Sequence, residues 1–240
     1  MASPADKGVR LNKFLASCGV GSRRGVEEFI TQGRVEINGK IVLDLSSRVR
    51  EGDHVKYDGK MLRKDPPLTL ILSKPKGYLC TKNDPQGRKT IYELIPKRFS
   101  KLHYVGRLDM ESSGLLLMTS SGELTEKLTH PRYHVEKEYE VHLDRALEPE
   151  YTQRLLDGIH LAEGLAKFDA IHFESRRRLR VVLTQGINRQ IRRMFPKVGC
   201  NVKRLERIRI GNFRAPALST GEYQILNYKQ IEEACMKSGQ

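Results

Sequence analysis

The 240-residue sequence lacks several features that mark common protein classes. No apolar run approaches the ~20 residues that a membrane-spanning helix needs, and residues 1–8 lack the apolar core of a secretory signal, so a loose leader is expected there. The four cysteines show no Cys-x-x-Cys spacing, which argues against a disulfide framework or a zinc site. His130 and His134 are four residues apart, but Pro131 interrupts any helix that would present both to one metal ion. We therefore expect no metal, no membrane association and a cytoplasmic location.

Acidic residues are scarce in one long segment. Residues 174–214 contain 13 Lys and Arg against 2 Asp and Glu, and residues 1–65 contain 13 against 9. The rest of the chain has 17 against 18, so the formal net charge of +14 is concentrated in two places. An ordinary solvated face would carry more compensating acids. This distribution favours nucleic acid as the partner over an acidic protein or a membrane surface.

The first 65 residues predict a small domain with two short helices. Apolar residues recur at helical spacing from Leu11, and Gly19 is a typical helix end. Ser22 is the predicted N-cap of the second helix. After Gly33 the apolar period becomes two, and the pairs Asn38-Gly39 and Asp58-Gly59 are strong hairpin-turn signals. A small twisted sheet should follow the helices, so we assign residues 9–65 to this domain.

The second domain is assigned to residues 66–240, after a predicted hinge at Lys64-Asp65-Pro66-Pro67. Many strands and few, unevenly placed helices predict an α+β domain on a mixed, mainly antiparallel sheet. The predicted strands are 68–73, 102–106, 115–119, 137–143, 168–173, 179–184 and 202–210. The predicted helices are 90–95, 122–130, 149–157, 188–197 and 229–236.

One carboxylate stands out at the end of a predicted strand. The segment Gly106-Arg107-Leu108-Asp109 follows an apolar run, and Ser112-Ser113-Gly114 then leads directly into Leu115-Leu116-Leu117. Asp109 therefore lies on a loop, where scaffolds present catalytic groups. The alternative is that Asp109 caps a turn. Gly106 and Gly114 are expected to be required by the backbone geometry.

Two further motifs accompany this aspartate. In Lys137-Glu138-Tyr139-Glu140-Val141, the tyrosine shares a strand face with apolar residues and could be a core residue. Asn188-Arg189-Gln190-Ile191-Arg192-Arg193-Met194-Phe195 predicts an amphipathic helix whose arginines lie opposite its apolar stripe. All three arginines could bind phosphate.

Taken together, these three motifs resemble those of the ribosomal RNA pseudouridine synthases, in the branch that modifies single uridines of small- or large-subunit rRNA. The N-terminal domain resembles the alpha-L RNA-binding domain, through Arg10-Leu11-Asn12-Lys13-Phe14-Leu15, Gly21-Ser22-Arg23-Arg24 and Gly33-Arg34-Val35-Glu36-Ile37-Asn38-Gly39-Lys40.

The resemblance implies a role for each matching residue. Asp109 would be the catalytic carboxylate, Tyr139 would stack on a flipped uracil, and Arg192 would form an ion pair with Asp109. Ile191 would pack against the base, while Arg107 would brace the catalytic loop or reach a phosphate. RNA-backbone contacts would come from Arg189 and Arg193 in this domain and from the alpha-L domain (Lys13, Arg23, Arg24, Arg34 and Lys40). Lys137 is expected to form a salt bridge with a neighbour, and Lys74 is a weak candidate substrate contact.

The implied reaction breaks the N1–C1′ bond of uridine, turns the base and joins C1′ to C5, which needs no cofactor. The implied partner is ribosomal RNA or an assembling ribosomal subunit, with the large subunit favoured and a monomeric enzyme expected. A non-catalytic rRNA-binding assembly factor is the alternative. No glycine-rich loop supports a methyltransferase, and Glu111 beside Asp109 does not make the carboxylate pair of a glycoside hydrolase.

Overall fold

The computed structural model describes residues 8–64 and 66–236. Most of the predicted leader, Asp65 of the predicted hinge and the last four residues lie outside this part of the chain. The chain divides into two compact units, Met1–Pro67 and Leu68–Gln240. Each unit has its own hydrophobic core, so each is described by itself.

The small unit packs two short helices against short strands. Its core consists of aliphatic side chains from both helices and from the strands, among them Leu11, Ile30 and Val55. Four strands form an antiparallel sheet in the order β3-β2-β5-β6, and β1 pairs with β4. The elements are β1 (Val9–Arg10), α1 (Leu11–Ser17), α2 (Gly25–Thr31), β2 (Val35–Ile37), β3 (Lys40–Ile41), β4 (Arg48–Val49), β5 (Val55–Tyr57) and β6 (Lys60–Met61).

Both predicted hairpin turns are present in the small unit. Asn38 and Gly39 have φ of 51° and 78°, and Asp58 and Gly59 have φ of 47° and 74°. Positive φ at both central residues is the requirement of a type I′ turn, which Asn-Gly and Asp-Gly meet at low cost. The position of Ser22 differs from the prediction, because α2 begins at Gly25. The Ser22 hydroxyl accepts a hydrogen bond from the Gly25 backbone N–H at 3.0 Å, one turn before the helix.

In its described residues, the large unit contains eleven strands, of which nine form one sheet and two pair as a separate hairpin. The strands are β7 (Thr69–Lys74), β8 (His103–Val105), β9 (Ser113–Thr119), β10 (Lys137–Leu143), β11 (Ile159–Leu161), β12 (Gly164–Ala166), β13 (Ala170–Ser175), β14 (Arg178–Leu183), β15 (Val202–Ile210), β16 (Phe213–Arg214) and β17 (Tyr223–Leu226). The α-helices are α3 (Gly122–Thr129), α4 (Glu150–Asp157), α5 (Gln190–Met194) and α6 (Tyr228–Met236). Short 3₁₀ turns cover Ile91–Leu94, Lys97–Phe99, Pro131–Tyr133 and Phe195–Val198.

The main sheet has the order β13-β14-β10-β15-β9-β7-β17, with β8 beside β9 and β16 beside β15. Among the described strands of this sheet, only β15 and β9 pair in parallel, so the prediction of a mixed, mainly antiparallel α+β unit is confirmed. The seven predicted strands are all present. The hairpin β11–β12 and the strands β16 and β17 were not predicted.

The sheet is covered where the site lies. One core packs α4 and α5 against β10, β14 and β15, and it contains Tyr139, Ile191 and Leu205. Two other cores enclose β9 between them, which explains the uninterrupted apolar run from Leu115 to Met118. Within the described residues, no helix has the length and apolarity that crossing a membrane would require.

Candidate active site

A cavity of about 880 Å³ opens in the large unit above β10 and β15. Its walls are the loop that follows β7, the loop between β8 and β9, the turn before β10 and the segment leading into α5. Five of the predicted site residues line it: Arg107, Asp109, Tyr139, Arg189 and Ile191. Arg192 and Arg193 are not among its lining residues.

The loop that carries Asp109 is held in place by its backbone. Gly106 turns the chain with a φ of 66°, and the Ser112 N–H donates to the Asp109 carbonyl at 3.0 Å. The ammonium of Lys74 donates to the carbonyls of Asp109 and Ser112 at 3.1 and 2.8 Å. Lys74 is completely buried, and this burial lowers its pKa. Lys74 therefore braces the loop from below, whereas the sequence predicted a weak substrate contact.

Gly114 allows the closest approach in the site. It has a φ of 102° and pairs directly with Arg207 of β15. A Cβ atom at this position would lie 2.3 Å from the Arg207 carbonyl oxygen and 2.8 Å from its nitrogen. The expectation that the backbone requires glycine here is confirmed, because no side chain fits between the two strands.

The ion pair of Asp109 differs from the prediction. Arg189 Nη1 lies 3.8 Å from Asp109 Oδ2, and Arg189 Nη2 donates to Glu111 Oε2 at 3.1 Å. Arg189 precedes α5 in a left-handed conformation with a φ of 50°, and its side chain reaches the loop that carries Asp109 from there. Its hydrogen bond is the main cause that lowers the pKa of Glu111.

Arg192, the predicted partner of Asp109, binds backbone instead. Its guanidinium donates to the carbonyls of Glu111 and Val202 at 3.0 and 3.2 Å. No Arg192 nitrogen lies within ion-pair distance of the Asp109 carboxylate in the described structure. These carbonyls fix the guanidinium beneath the loop, so Arg192 connects the loop to the start of β15.

Arg193 is also engaged within the protein. It forms a bidentate ion pair with Glu163, at 2.9 and 2.8 Å, and donates to the Asn188 carbonyl at 3.0 Å. Glu163 lies in the turn of the β11–β12 hairpin, which the sequence did not predict. Arg193 therefore attaches this hairpin to α5 rather than being held ready for an RNA phosphate.

Tyr139 and Ile191 belong to the core and to the cavity at once. Their exposed fractions are 8% and 4%, and both contribute to the core beneath the cavity. Both also line the cavity. Among the described residues, none forms a hydrogen bond with the Tyr139 hydroxyl. The core role and the predicted contact with a base are thus compatible.

Two cations in the cavity wall have contacts that the sequence did not predict. Lys137 donates to the carbonyls of Val135 and Thr184, both at 3.0 Å, and forms no salt bridge with a described residue. Burial lowers the pKa of Lys137, and the neighbouring Arg207 contributes to this shift. Arg207 is only 1% exposed, and its Nε donates to the Leu115 carbonyl at 2.8 Å. The signal in the sequence is that Arg207 shares a strand face with the apolar Leu205.

The predicted RNA contacts of the small unit fall into two groups. Arg23, Arg24 and Lys40 are exposed, and Lys13 is half-buried on α1. Arg34 differs, because Asp58 holds its guanidinium over the rings of Phe29 and Tyr57, at 4.7 and 4.9 Å from the ring centres. Over residues 8–64 and 66–236, no three His, Cys, Asp or Glu side chains group as metal ligands would.

Comparison with known proteins follows the same division of the chain. Residues 69–197 match the family model described as RNA pseudouridylate synthase, and residues 9–63 match the S4 domain. The chain belongs to the RNA pseudouridylate synthase family. The resemblance predicted from the motifs is thereby confirmed.

Relatives in this family align with nearly the whole chain. It is 38% identical to "Ribosomal large subunit pseudouridine synthase B" of Pseudomonas aeruginosa, over 94% of this chain and 61% of that protein. It is 37% identical to an "Uncharacterized RNA pseudouridine synthase" of Aquifex aeolicus, over 94% and 95% of the two chains. The chain thus spans about three-fifths of the first relative's length.

A solved structure extends the likeness to three dimensions. The crystal structure of a pseudouridylate synthase superposes with a TM-score of 0.69 at 30% identity, covering 95% of this chain and 100% of that one. The family fold is therefore shared across both units of the chain.

Proposed function

We propose that this protein isomerises specific uridines to pseudouridine in ribosomal RNA. The observation that carries the proposal is the position of Asp109, whose carboxylate lines a cavity together with Tyr139 and Ile191 and lies 3.8 Å from the Arg189 guanidinium. The reaction needs a carboxylate held at the sugar, and the Arg189 guanidinium faces this one at 3.8 Å.

The target nucleotide must leave its stack before it can enter the cavity. Bases in A-form helices cannot be reached, so the substrate is a looped or locally melted uridine. The flipped uracil stacks on Tyr139 and packs against Ile191. Because the Tyr139 hydroxyl has no hydrogen-bond partner in the described protein, it can bind the base or the carboxylate. The exposed Arg107 at the loop suits a backbone phosphate.

Asp109 separates the base from the sugar by one of two routes. As a nucleophile, its oxygen bonds to C1′ while the C1′–N1 bond breaks and the electron pair remains on the uracil. As a base, it removes the C2′ proton and leaves a glycal. The turned base then joins its C5 to C1′. In the first route the bond between C1′ and the Asp109 oxygen breaks in this step, and in the second C2′ regains its proton. Finally the C5 proton is lost and N1 gains one. Reactant and product are isomers, and neither route calls for a redox step.

The remaining residues of the site position this carboxylate. Arg189 takes the ion-pairing role that the family resemblance gave to Arg192. Lys74 and Arg192 hold the loop by different carbonyl groups, those of Asp109 and Glu111. Three separate contacts therefore set the location of Asp109, and none of them needs a cofactor.

The small unit is proposed to bind rRNA through the exposed Arg23, Arg24 and Lys40, together with Lys13. Its S4 match supports this role. The large ribosomal subunit is the favoured source of the substrate, since the name of the Pseudomonas relative specifies it. We propose that the protein acts as a monomer in the cytoplasm.

A pseudouridine map of both large rRNAs tests the proposal. Cells that lack this protein should be missing pseudouridine at a defined site, and the native chain should restore it. Asp109→Asn should fold and bind rRNA but restore nothing. Asp157→Asn, a carboxyl-to-amide change at the exposed end of α4, is the matched control and should restore the site.

Two results would contradict the proposal. Restoration by Asp109→Asn would remove Asp109 from the chemistry. An unchanged map in cells that lack the protein would favour a non-catalytic rRNA-binding assembly factor.

A further inference from the structure

The cavity holds more positive charge than its own carboxylates balance. Two carboxylates line it. Asp84 accepts hydrogen bonds from the Arg88 guanidinium at 2.7 and 3.0 Å, and Asp109 faces Arg189 at 3.8 Å. The other lining cations form no ion pair with any residue that the structure describes: Arg107, Lys137 and Arg207.

Arg207 is the deepest of these cations. Its side chain is 1% exposed, one donor is bound by the Leu115 carbonyl, and its Nη2 is buried with no hydrogen-bond partner in the described structure. A buried guanidinium with an unsatisfied donor costs folding free energy. Packing alone would be served better by an apolar side chain at this position.

The register of the sheet places this charge beside the base. Arg207 of β15 is the direct cross-strand partner of Tyr139 of β10, on the face that the cavity opens onto. Lys137 lies on the same face, two residues before Tyr139, and its two partners are neutral carbonyl groups. A base stacked on Tyr139 therefore has two positive charges next to it and no carboxylate except Asp109.

We infer that Arg207, assisted by Lys137, stabilises the negative charge that develops on uracil when its bond to the sugar breaks. The inference rests on the proposed function. As C1′–N1 breaks, the electron pair stays on N1 and spreads to O2 and O4, so the detached base is an anion. The charge disappears when C5 bonds to C1′, the C5 proton leaves and N1 is protonated. Fixed cations in a water-poor cavity favour the intermediate state.

The leaving ability of the base provides the test. Fluorine at C5 withdraws electrons, so 5-fluorouracil leaves as an anion with less assistance than uracil. Two RNA substrates that differ only in uridine or 5-fluorouridine at the target site are compared in single-turnover reactions. Digestion and mass spectrometry measure the loss of the original nucleoside, which reports C1′–N1 cleavage for both.

Arg207→Gln should slow cleavage about 100-fold with uridine but only about 10-fold with 5-fluorouridine. Lys137→Gln should also slow the cleavage of uridine more than that of 5-fluorouridine, but both losses should be smaller. Arg209→Gln is the matched control, because Arg209 lies on the same strand but pairs with Glu136 and Glu138 on the other side of the sheet. The melting temperature of Arg209→Gln should fall, while the ratio of the cleavage rates of the two substrates stays at the native value.

Equal losses with both substrates would overturn the inference and leave Arg207 as a structural residue. If Arg207→Gln fails to fold, Lys137→Gln carries the comparison, and an unchanged ratio of the two cleavage rates in that variant would overturn the inference. Native protein that cleaves neither substrate would instead contradict the proposed function, so the two failures are distinguishable.

Discussion

The two units of this chain place their positive charges in opposite ways. In the small unit, Arg23, Arg24 and Lys40 are exposed around an aliphatic core. In the large unit, Lys74 and Arg207 are among the most completely buried side chains. Surface cations bind a polyanion through long-range, salt-sensitive attraction. Buried cations cost free energy to enclose, so their position indicates chemistry or loop positioning rather than affinity.

Gly114→Ala should have the largest effect on stability. Gly114 lies where the loop that carries Asp109 joins β9, in direct contact with the backbone of the buried Arg207. The added methyl group would meet the Arg207 backbone at 2.3 Å. We expect a loss of about 3 kcal/mol in the free energy of unfolding, measured by urea denaturation. Gly164→Ala is the control, since Gly164 also has positive φ but no atom within 4 Å of its Cβ position. It should lose only about 1 kcal/mol, and equal losses would contradict the close-approach argument.

Arg189→Gln and Arg192→Gln should separate the electrostatic role from the bracing role. Arg189→Gln should lower the single-turnover rate about 100-fold and leave the melting temperature near the native value, because it removes the cation facing Asp109. Arg192→Gln should lower the melting temperature clearly, since the carbonyls of Glu111 and Val202 lose their donor. The reverse pattern would return the ion pair to Arg192.

Arg23→Ala combined with Arg24→Ala should weaken RNA binding. The single-turnover rate of RNA that is already bound should not change. Removing two phosphate contacts should reduce the slope of log K against log salt by roughly one to two. Filter binding over a series of KCl concentrations measures the slope, and single-turnover rates at saturating protein check the chemistry. Glu27→Gln together with Glu28→Gln, on the adjoining helix, should not reduce the slope. A slower saturated rate in the arginine variant would contradict the division between the units.

Arg88→Gln should have the smallest effect, because this cation is exposed and already paired. Hydrogen bonds from the Arg88 side chain and backbone lower the pKa of Asp84 to about 2. Since an unfolded Asp titrates near 3.9, this contact stabilises the folded chain above about pH 4 and is lost as the pH falls through about 2. The small melting-temperature difference from native protein at pH 7 should therefore vanish on acidification. A difference that persists at pH 2 would contradict the pairing.

Local patterns in the sequence were sufficient for much of the fold. The type I′ turns were predictable because Asn38 and Asp58 precede glycines, and the turn is decided by four residues. β9 and β10 were predictable from apolar runs and alternation. β17 was missed because Tyr223–Leu226 lies at the sheet edge, where only Leu226 is buried and the pattern is weak.

The site was predicted less completely than the fold. Asp109, Tyr139 and Ile191 line one cavity as their motifs indicated. Tyr139 and Ile191 are near the starts of β10 and α5, and Asp109 lies on the short loop between β8 and β9. Which arginine faces Asp109 depends on where α5 begins. The sequence predicted a helix from residue 188, whereas α5 begins at Gln190, so that Arg189 precedes the helix and its side chain faces Asp109. Burial of Lys74 and Arg207 depends on strands distant in sequence. The local pattern offered no more than the strand face that Arg207 shares with Leu205.

The central position of β15 determines how early during synthesis the site can form. This strand lies between β10, which carries Tyr139, and β9, which follows Asp109. Among the strands of residues 8–64 and 66–236, it alone pairs with both. During synthesis, both neighbours emerge long before residue 202. The two halves of the site can therefore meet only after most of the polypeptide has left the ribosome, and a chain cut short before β15 would carry both motifs yet no working site.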